Sequence, residues 1–223
     1  MKTVKHIIYA SVAVATAVVL SLSVRAQDPP NLLVDGNFQA EGAANAFDQP
    51  NPIPLPSGIS GGWAGWTCNL TSTYAPPSSG YSVYVWENTW DPEGVYQILP
   101  ATAGYTYTLS ALALDTKTPD WTTPVILQLN FYDPTGTDEL ASTGNWEAGP
   151  SQVNTWQQVG ATTATAPAGT ALVEAYVMYM DSDSGAQGMY FGNVSLTAVP
   201  EPSTIALVAC GLLGMLVIRR RQA

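Results

Sequence analysis

Histidine is nearly missing from this chain: the only one, His6, stands beside the first lysines. Beyond it no Ser-His-Asp set, no Cys-His pair and no imidazole metal ligand can be assembled, so the hydrolases and zinc proteins built on them are excluded. Cysteine is almost as scarce. Cys210 lies in an apolar run near the C-terminal end, so Cys68 is the one cysteine outside that run and the fold must rest on its core rather than on cross-links. Cys68 beside Trp66 reads as a small buried apolar residue. Basic residues number seven against seventeen acidic ones, and six of them sit at the ends, as Lys2, Lys5 and Arg25, then Arg219, Arg220 and Arg221. Between the ends, and with Glu201 set aside, Lys117 alone faces sixteen acids, a net of −15 where the whole chain carries −10. Such a field repels phosphate backbones and anionic lipid headgroups, which excludes nucleic acid and leaves neutral glycans or cations as compatible partners.

The positive charges frame two apolar segments. Met1 to Lys5 is a basic start, Ile7 to Leu22 an apolar stretch, and Val24-Arg25-Ala26 a small-residue cleavage site, the pattern of a signal peptide over 1–26. Cleavage after Ala26 makes Gln27 the first residue; an uncleaved signal anchor is the alternative. At the other end, Val199-Pro200-Glu201-Pro202-Ser203 precedes an uncharged run, Thr204 to Ile218, and then Arg219 to Arg221. Two prolines fix φ and remove two backbone donors, so Pro200-Glu201-Pro202 reads as an extended break that continues neither strand nor helix. Fifteen helical residues reach about 22 Å against a hydrocarbon core of about 30 Å, a marginal anchor whose arginines hold the cytoplasmic side.

This arrangement resembles the PEP-CTERM sorting signal of Gram-negative bacteria. The matching residues are the tag Pro200, Glu201 and Pro202, the transmembrane helix over 204–218, and the basic tail Arg219, Arg220 and Arg221, together the segment 199–223. The resemblance implies an exosortase-type processing enzyme as partner, transient residence in the inner membrane, removal of the helix, and delivery to the cell surface or an exopolysaccharide matrix. An ordinary anchor that stays uncut is the other reading.

The exported body, 27–198, is long enough for one domain with a real core. Helical periodicity is almost absent from it. Alternating runs recur instead: Tyr81 to Trp86, Tyr105 to Leu109, Val125 to Phe131, Ala171 to Met180 and Met189 to Leu196, rich in aromatic and β-branched residues and bounded by turns such as Asp133-Pro134-Thr135-Gly136. They predict an all-β single domain, a β-sandwich. The proline-rich stretch from Gln39 to Gly62 reads as an extended loop or insertion.

Several short pieces follow in a familiar order: Asn31 to Gln39, Gly65-Trp66, Tyr105 to Leu109, Trp156 opening a strand, Ala166 to Thr170, and Tyr190 to Leu196. In this order the body resembles jelly-roll carbohydrate-binding modules of the xylan- and glucan-binding type. The resemblance implies a jelly-roll-like sandwich that binds polysaccharide without catalysis, with Trp66 and Trp156 in structural positions. Members of that family often carry a structural calcium held partly by a Glu after the first Phe and an Asp before the closing Asn-Val. Here those positions are Gln39 and Gly192, neither with a carboxylate.

Three kinds of candidate site remain. Asp181-Ser182-Asp183-Ser184-Gly185 alternates oxygens before a turn glycine, which makes Asp181 and Asp183 a calcium candidate against a plain solvated loop; no other cofactor is expected. Trp90, Trp121 and Trp146 sit in turn-like contexts and are the candidate exposed platforms for sugar rings, whereas Trp66, Trp86 and Trp156 are expected in the core. Paired carboxylates are all that a glycosidase needs, and Glu87, Asp91 and Glu93, or Asp133, Asp138 and Glu139, lie close in sequence; acidic turns that solubilise a lysine-poor surface explain them equally. The sequence thus leaves a non-catalytic surface or matrix protein that binds polysaccharide, a carboxylate-pair enzyme, and a protein-interaction domain.

Overall fold

The computed structural model describes residues 29–39, 62–86, 91–117, 125–147, 149–180 and 188–201. Residues 1–28, with Ala26 and Gln27, and Trp90, Trp121, Asp181, Asp183, Pro202, the apolar run 204–218 and Arg219 to Arg221 lie outside them, as does most of the proline-rich stretch.

Ten strands are present among the described residues: β1 (Ala64–Trp66), β2 (Cys68–Thr71), β3 (Ser82–Trp86), β4 (Glu93–Pro100), β5 (Tyr105–Asp115), β6 (Val125–Tyr132), β7 (Glu139–Glu147), β8 (Gln157–Thr165), β9 (Leu172–Tyr179) and β10 (Gly188–Pro200). They form two five-stranded sheets, a first in the order β1-β4-β9-β6-β7 and a second in the order β2-β3-β10-β5-β8, with antiparallel neighbours throughout. From β3 onward almost every connection crosses from one sheet to the other, which makes the domain a β-sandwich of jelly-roll type. Among the described residues there is no helix.

The period-two pattern explains the core. Val125, Leu127, Leu129 and Phe131 of β6, Val173, Ala175, Val177 and Tyr179 of β9, and Tyr107, Leu109, Ala111 and Ala113 of β5 all face inward, so each strand buries alternate side chains against the opposite sheet. Two strands switch parity on the way. β10 buries Met189 and Phe191, then Val194 and Leu196; β8 buries Val159, then Thr162, with half-buried Ala164 packed beside it on the core. A bulge causes each switch, between Gly192 and Ser195 in β10 and opposite Leu109 to Ala111 in β8, with Asn193 (φ 48°) and Gly160 (φ 39°) taking the left-handed backbone that an inserted residue requires. Thr162 pays its polar cost inside by donating its hydroxyl hydrogen bond to the Leu127 carbonyl of the other sheet at 2.7 Å.

The segment 31–38 closes the sandwich where β3 stops. Leu32 N–H donates to Leu196 O at 2.7 Å, Val194 N–H to Gly36 O at 2.8 Å, and the Asn31 side chain bonds Val194 O and Leu196 N at 2.9 Å each. Gln97, facing inward from β4 and 1% exposed, grips the same segment through Val34 N (2.8 Å) and Val34 O (3.0 Å). Phe38 is fully buried against Trp63, ring centroids 4.9 Å apart, and the Trp63 indole donates to Asp35 O at 3.0 Å.

At the C-terminal end the structure departs from the sequence reading: Pro200 is the last residue of β10, paired with Tyr105, rather than part of a break after the strand. The reason is one of sides. Glu201 N–H points to Gly104 O on the β5 side, at 3.3 Å, so the missing N–H of Pro200 falls on the side that no strand occupies, where proline costs no ladder bond.

Candidate functional site

The outer face of the first sheet carries the most concentrated chemistry among the described residues. On β4 the inward positions are Val95, Gln97 and Leu99, so Gly94, Tyr96 and Ile98 face out; on β9 the outward set is Leu172, Glu174, Tyr176 and Met178, and on β6 it is Ile126, Gln128, Asn130 and Tyr132. Strand register aligns these into rows. One runs Ala64, Tyr96, Tyr176, Gln128, Gly144; beside it runs Ile98, Glu174, Asn130, Ser142.

Three rings form the aromatic half. Trp66 lies 5.7 Å from Tyr96 and 5.9 Å from Tyr176, centroid to centroid, and Tyr96 lies 5.0 Å from Tyr176, spacings at which tilted rings attract. Trp66 is half-buried rather than a core residue, because Gly65 takes the inward position against Cys68 and Val95. Its indole donates to Pro92 O at 3.2 Å, which holds the ring on the face. Trp86 and Trp156 are also half-buried rather than in the core.

The polar half is a network around one carboxylate. Glu174, 5% exposed, accepts from the Tyr132 phenol at 2.9 Å and from Asn130 Nδ2 at 3.3 Å, and it also hydrogen-bonds the Tyr176 phenol. Gln128 Nε2 donates to Asn130 Oδ1 at 2.8 Å, and Ser142 donates to the same oxygen at 2.7 Å. Burial, then the Glu174 charge, hold the Tyr176 and Tyr132 phenols far above the ordinary tyrosine range and raise Tyr96 as well, so all three remain neutral donors at any physiological pH. Flat rings beside a fixed row of amide, phenol and carboxylate groups suit a neutral polyhydroxylated ligand: ring C–H faces stack while hydroxyls meet the polar row.

Of the tryptophans proposed from sequence, Trp146 falls in β7 at the register position opposite Ile126, in line with Trp66, Gly94 and Met178, rather than in a turn. Trp90, Trp121, Asp181 and Asp183 are outside the described residues. The acidic group Asp133, Asp138 and Glu139 forms the β6–β7 turn: Asp133 accepts from the Thr135 hydroxyl at 2.8 Å and from the N–H groups of Thr137 and Asp138 at 3.3 and 3.4 Å. These bonds, Thr135 foremost, lower its pKa, so its carboxylate organises the turn. At the positions matching the family's calcium ligands, Gln39 N–H is bonded to Asp35 Oδ1 at 2.8 Å, and a Cβ on Gly192 would lie 2.4 Å from Pro76. Among the described residues no three His, Cys, Asp or Glu side chains gather as metal ligands.

Sequence reasoning did not single out Tyr96, Gln128, Asn130, Tyr132, Glu174 or Tyr176. A signal existed: Gln128, Asn130 and Glu174 interrupt otherwise apolar strands at positions of the parity opposite to the core.

The family description "PEP-CTERM protein-sorting motif" matches residues 198–221, and a sorting motif of this kind marks an exported protein. Comparison with curated proteins gives no match. Among solved structures, the enzymatically active domain of tailspike protein 4 of bacteriophage CBA120 is similar, with 17% identity and a TM-score of 0.51 over 76% of this chain and 21% of that one. A family 16 carbohydrate-binding module is similar at 19% identity and TM-score 0.46, over 75% of this chain and 99% of its own. A Stig cyclase from Fischerella sp. TAU has 16% identity and TM-score 0.46, over 70% and 94%. At such identities the likeness speaks to fold alone, and a sandwich of this kind carries unrelated activities.

Proposed function

We propose that this is a non-catalytic exported protein, sorted by an exosortase-type system to the surface or extracellular matrix of a Gram-negative bacterium, where it binds a neutral polysaccharide on the outer face of its first sheet. The observation that carries the binding is the apposition of the Trp66, Tyr96 and Tyr176 rings to the Glu174, Asn130 and Gln128 row. The net charge of −10 argues for an uncharged glycan over an anionic one. Trp146, by its register, extends the same row of strands and is a further contact, and Trp90 and Trp121 are retained as candidate contacts. The paired-carboxylate enzyme is disfavoured at its second cluster by Asp133, whose carboxylate accepts from Thr135, Thr137 and Asp138 and so organises the β6–β7 turn.

The test is affinity-gel retardation of the chain from Gln27 to Glu201 on a panel of β-glucans, xylan and native exopolysaccharide. Retardation by a neutral glycan that disappears in Tyr176→Ala and Trp66→Ala supports the reading; absence of retardation on every gel overturns it. Release of reducing sugar that vanishes in Glu174→Gln would instead establish an enzyme. Mass spectrometry of the protein from its native host tests the sorting: an end near Pro200 to Ser203 indicates processing, and an intact Arg221 indicates an uncut anchor.

A further inference from the structure

The sorting motif and the folded domain share residues. The motif begins at residue 198, while β10 extends to Pro200. Ala198, Val199 and Pro200 are paired with Tyr107, Thr106 and Tyr105, and Glu201 N–H still reaches Gly104 O. Only Pro202 and Ser203 then precede the uncharged run that starts at Thr204. Three steps of fully extended chain span about 11 Å, and the interfacial layer of a bilayer is about 5 to 7 Å deep on each side. Pro202 and Ser203 are thus all the sequence between the sandwich and the run read as a membrane segment.

The surface around this exit matches that placement. Gly104 N–H donates to Ala166 O at 2.8 Å and Ala101 N–H to Ala171 O at 2.8 Å, so the β4–β5 loop (101–104) and the β8–β9 loop (166–171) are tied to the point where β10 ends. The loops read Ala-Thr-Ala-Gly and Ala-Pro-Ala-Gly-Thr-Ala, without one charge in a chain of seventeen acidic residues. Val199, 43% exposed, adds an apolar side chain beside them. The acidic turn from Asp133 to Glu139 is at the same end and joins β6 to the edge strand β7; it adjoins the β8–β9 loop, where Ala171 N–H donates to Tyr132 O at 2.9 Å, and belongs to the other sheet from the β10–β5 pair. A body this acidic is repelled from anionic headgroups everywhere except at an uncharged surface.

We propose that these two loops, with Val199, form the surface that rests on the phospholipid headgroups while the tail is in the membrane, the domain tilting so that the acidic turn stays in water. The inference rests on the reading of 204–218 as a membrane segment.

The test uses the full chain in vesicles of phosphatidylethanolamine and phosphatidylglycerol. Cys210→Ser removes the tail thiol, and Cys68, fully buried, stays unlabelled in the folded protein. Single cysteines placed by Ala103→Cys, Ala168→Cys and, at the opposite end, Gln152→Cys carry a fluorophore, and headgroup-spin-labelled lipid is the quencher. Several-fold stronger quenching at 103 and 168 than at 152 is expected. Equal quenching at all three sites, or none, in protein that co-floats with the vesicles overturns the surface while leaving the anchor intact. Failure to co-float overturns the anchor and the surface with it. A long Gly-Ser insertion between Ser203 and Thr204 should preserve flotation and abolish the difference; a persisting difference would overturn the short-tether argument.

Discussion

The Tyr132 phenol donates to the Glu174 carboxylate at 2.9 Å across the β6–β9 pair, and both side chains belong to the outer face of a sheet whose inner face, Gln97 apart, buries apolar side chains. Glu174 is 5% exposed, so its charge is tolerated only because phenol and amide donors surround it.

That arrangement predicts the alkaline behaviour. Tyr132 and Tyr176 are raised by burial first and by Glu174 second, and Tyr96, Tyr84 and Tyr190 are raised mainly by burial. A phenol that ionises later in the folded than in the unfolded chain contributes stability that is complete below about pH 10 and declines as pH rises beyond it. Denaturant midpoints should therefore be insensitive to these groups at neutral pH and fall above about pH 10. In tyrosinate absorbance, Glu174→Gln should move a late-titrating class of tyrosines to lower pH; an unchanged titration would contradict the coupling.

Trp66 and Trp63 should separate binding from stability. Trp63 is buried, tilted against Phe38 and bonded to Asp35 O, so Trp63→Ala should cost about 3–5 kcal/mol in urea unfolding. Trp66→Ala should cost clearly less and yet abolish retardation by glycan.

Gly94 is required by contact rather than by φ. A Cβ there would sit 2.2 Å from Val177 O of the neighbouring strand, whereas at Gly80 it would meet nothing within 4 Å. Gly94→Ala should destabilise by about 1–3 kcal/mol through forced strand separation, and Gly80→Ala should leave the unfolding midpoint nearly unchanged.

Gln97 acts as a strand partner for the N-terminal segment, bonding both backbone groups of Val34. Gln97→Leu keeps the volume but removes both bonds, an expected loss of about 1–2 kcal/mol. Amide exchange should accelerate first at Leu32 and Val194, whose bonds depend on the placement of that segment; uniform acceleration across β6 and β9 would argue against a local role.

The strands legible in the sequence were those in which core and surface residues alternate cleanly, as in Val125 to Phe131. β4 escaped because its polarity is inverted: Gln97 faces the core while Tyr96 and Ile98 face out. β7 and β8, at the sheet edges, carry too few apolar residues to show a pattern, and β1 and β2 are too short to have one. β5 continued past Leu109 because Leu112 and Leu114 occupy its outward positions and hide the alternation.

By itself the sequence determined the charge field, the lack of histidine chemistry, the strand-based class of the body and the motif at 198–221. These depend on which residues are present and on local order, which chain composition and period suffice to set. Tertiary structure alone decided which of two tryptophans three residues apart is core and which is surface, that Pro200 ends a strand, and that residues as distant as Trp66, Tyr96, Asn130 and Glu174 share one face. Such neighbours are created by strand register, and a shift of one residue would have turned every one of those side chains to the opposite face.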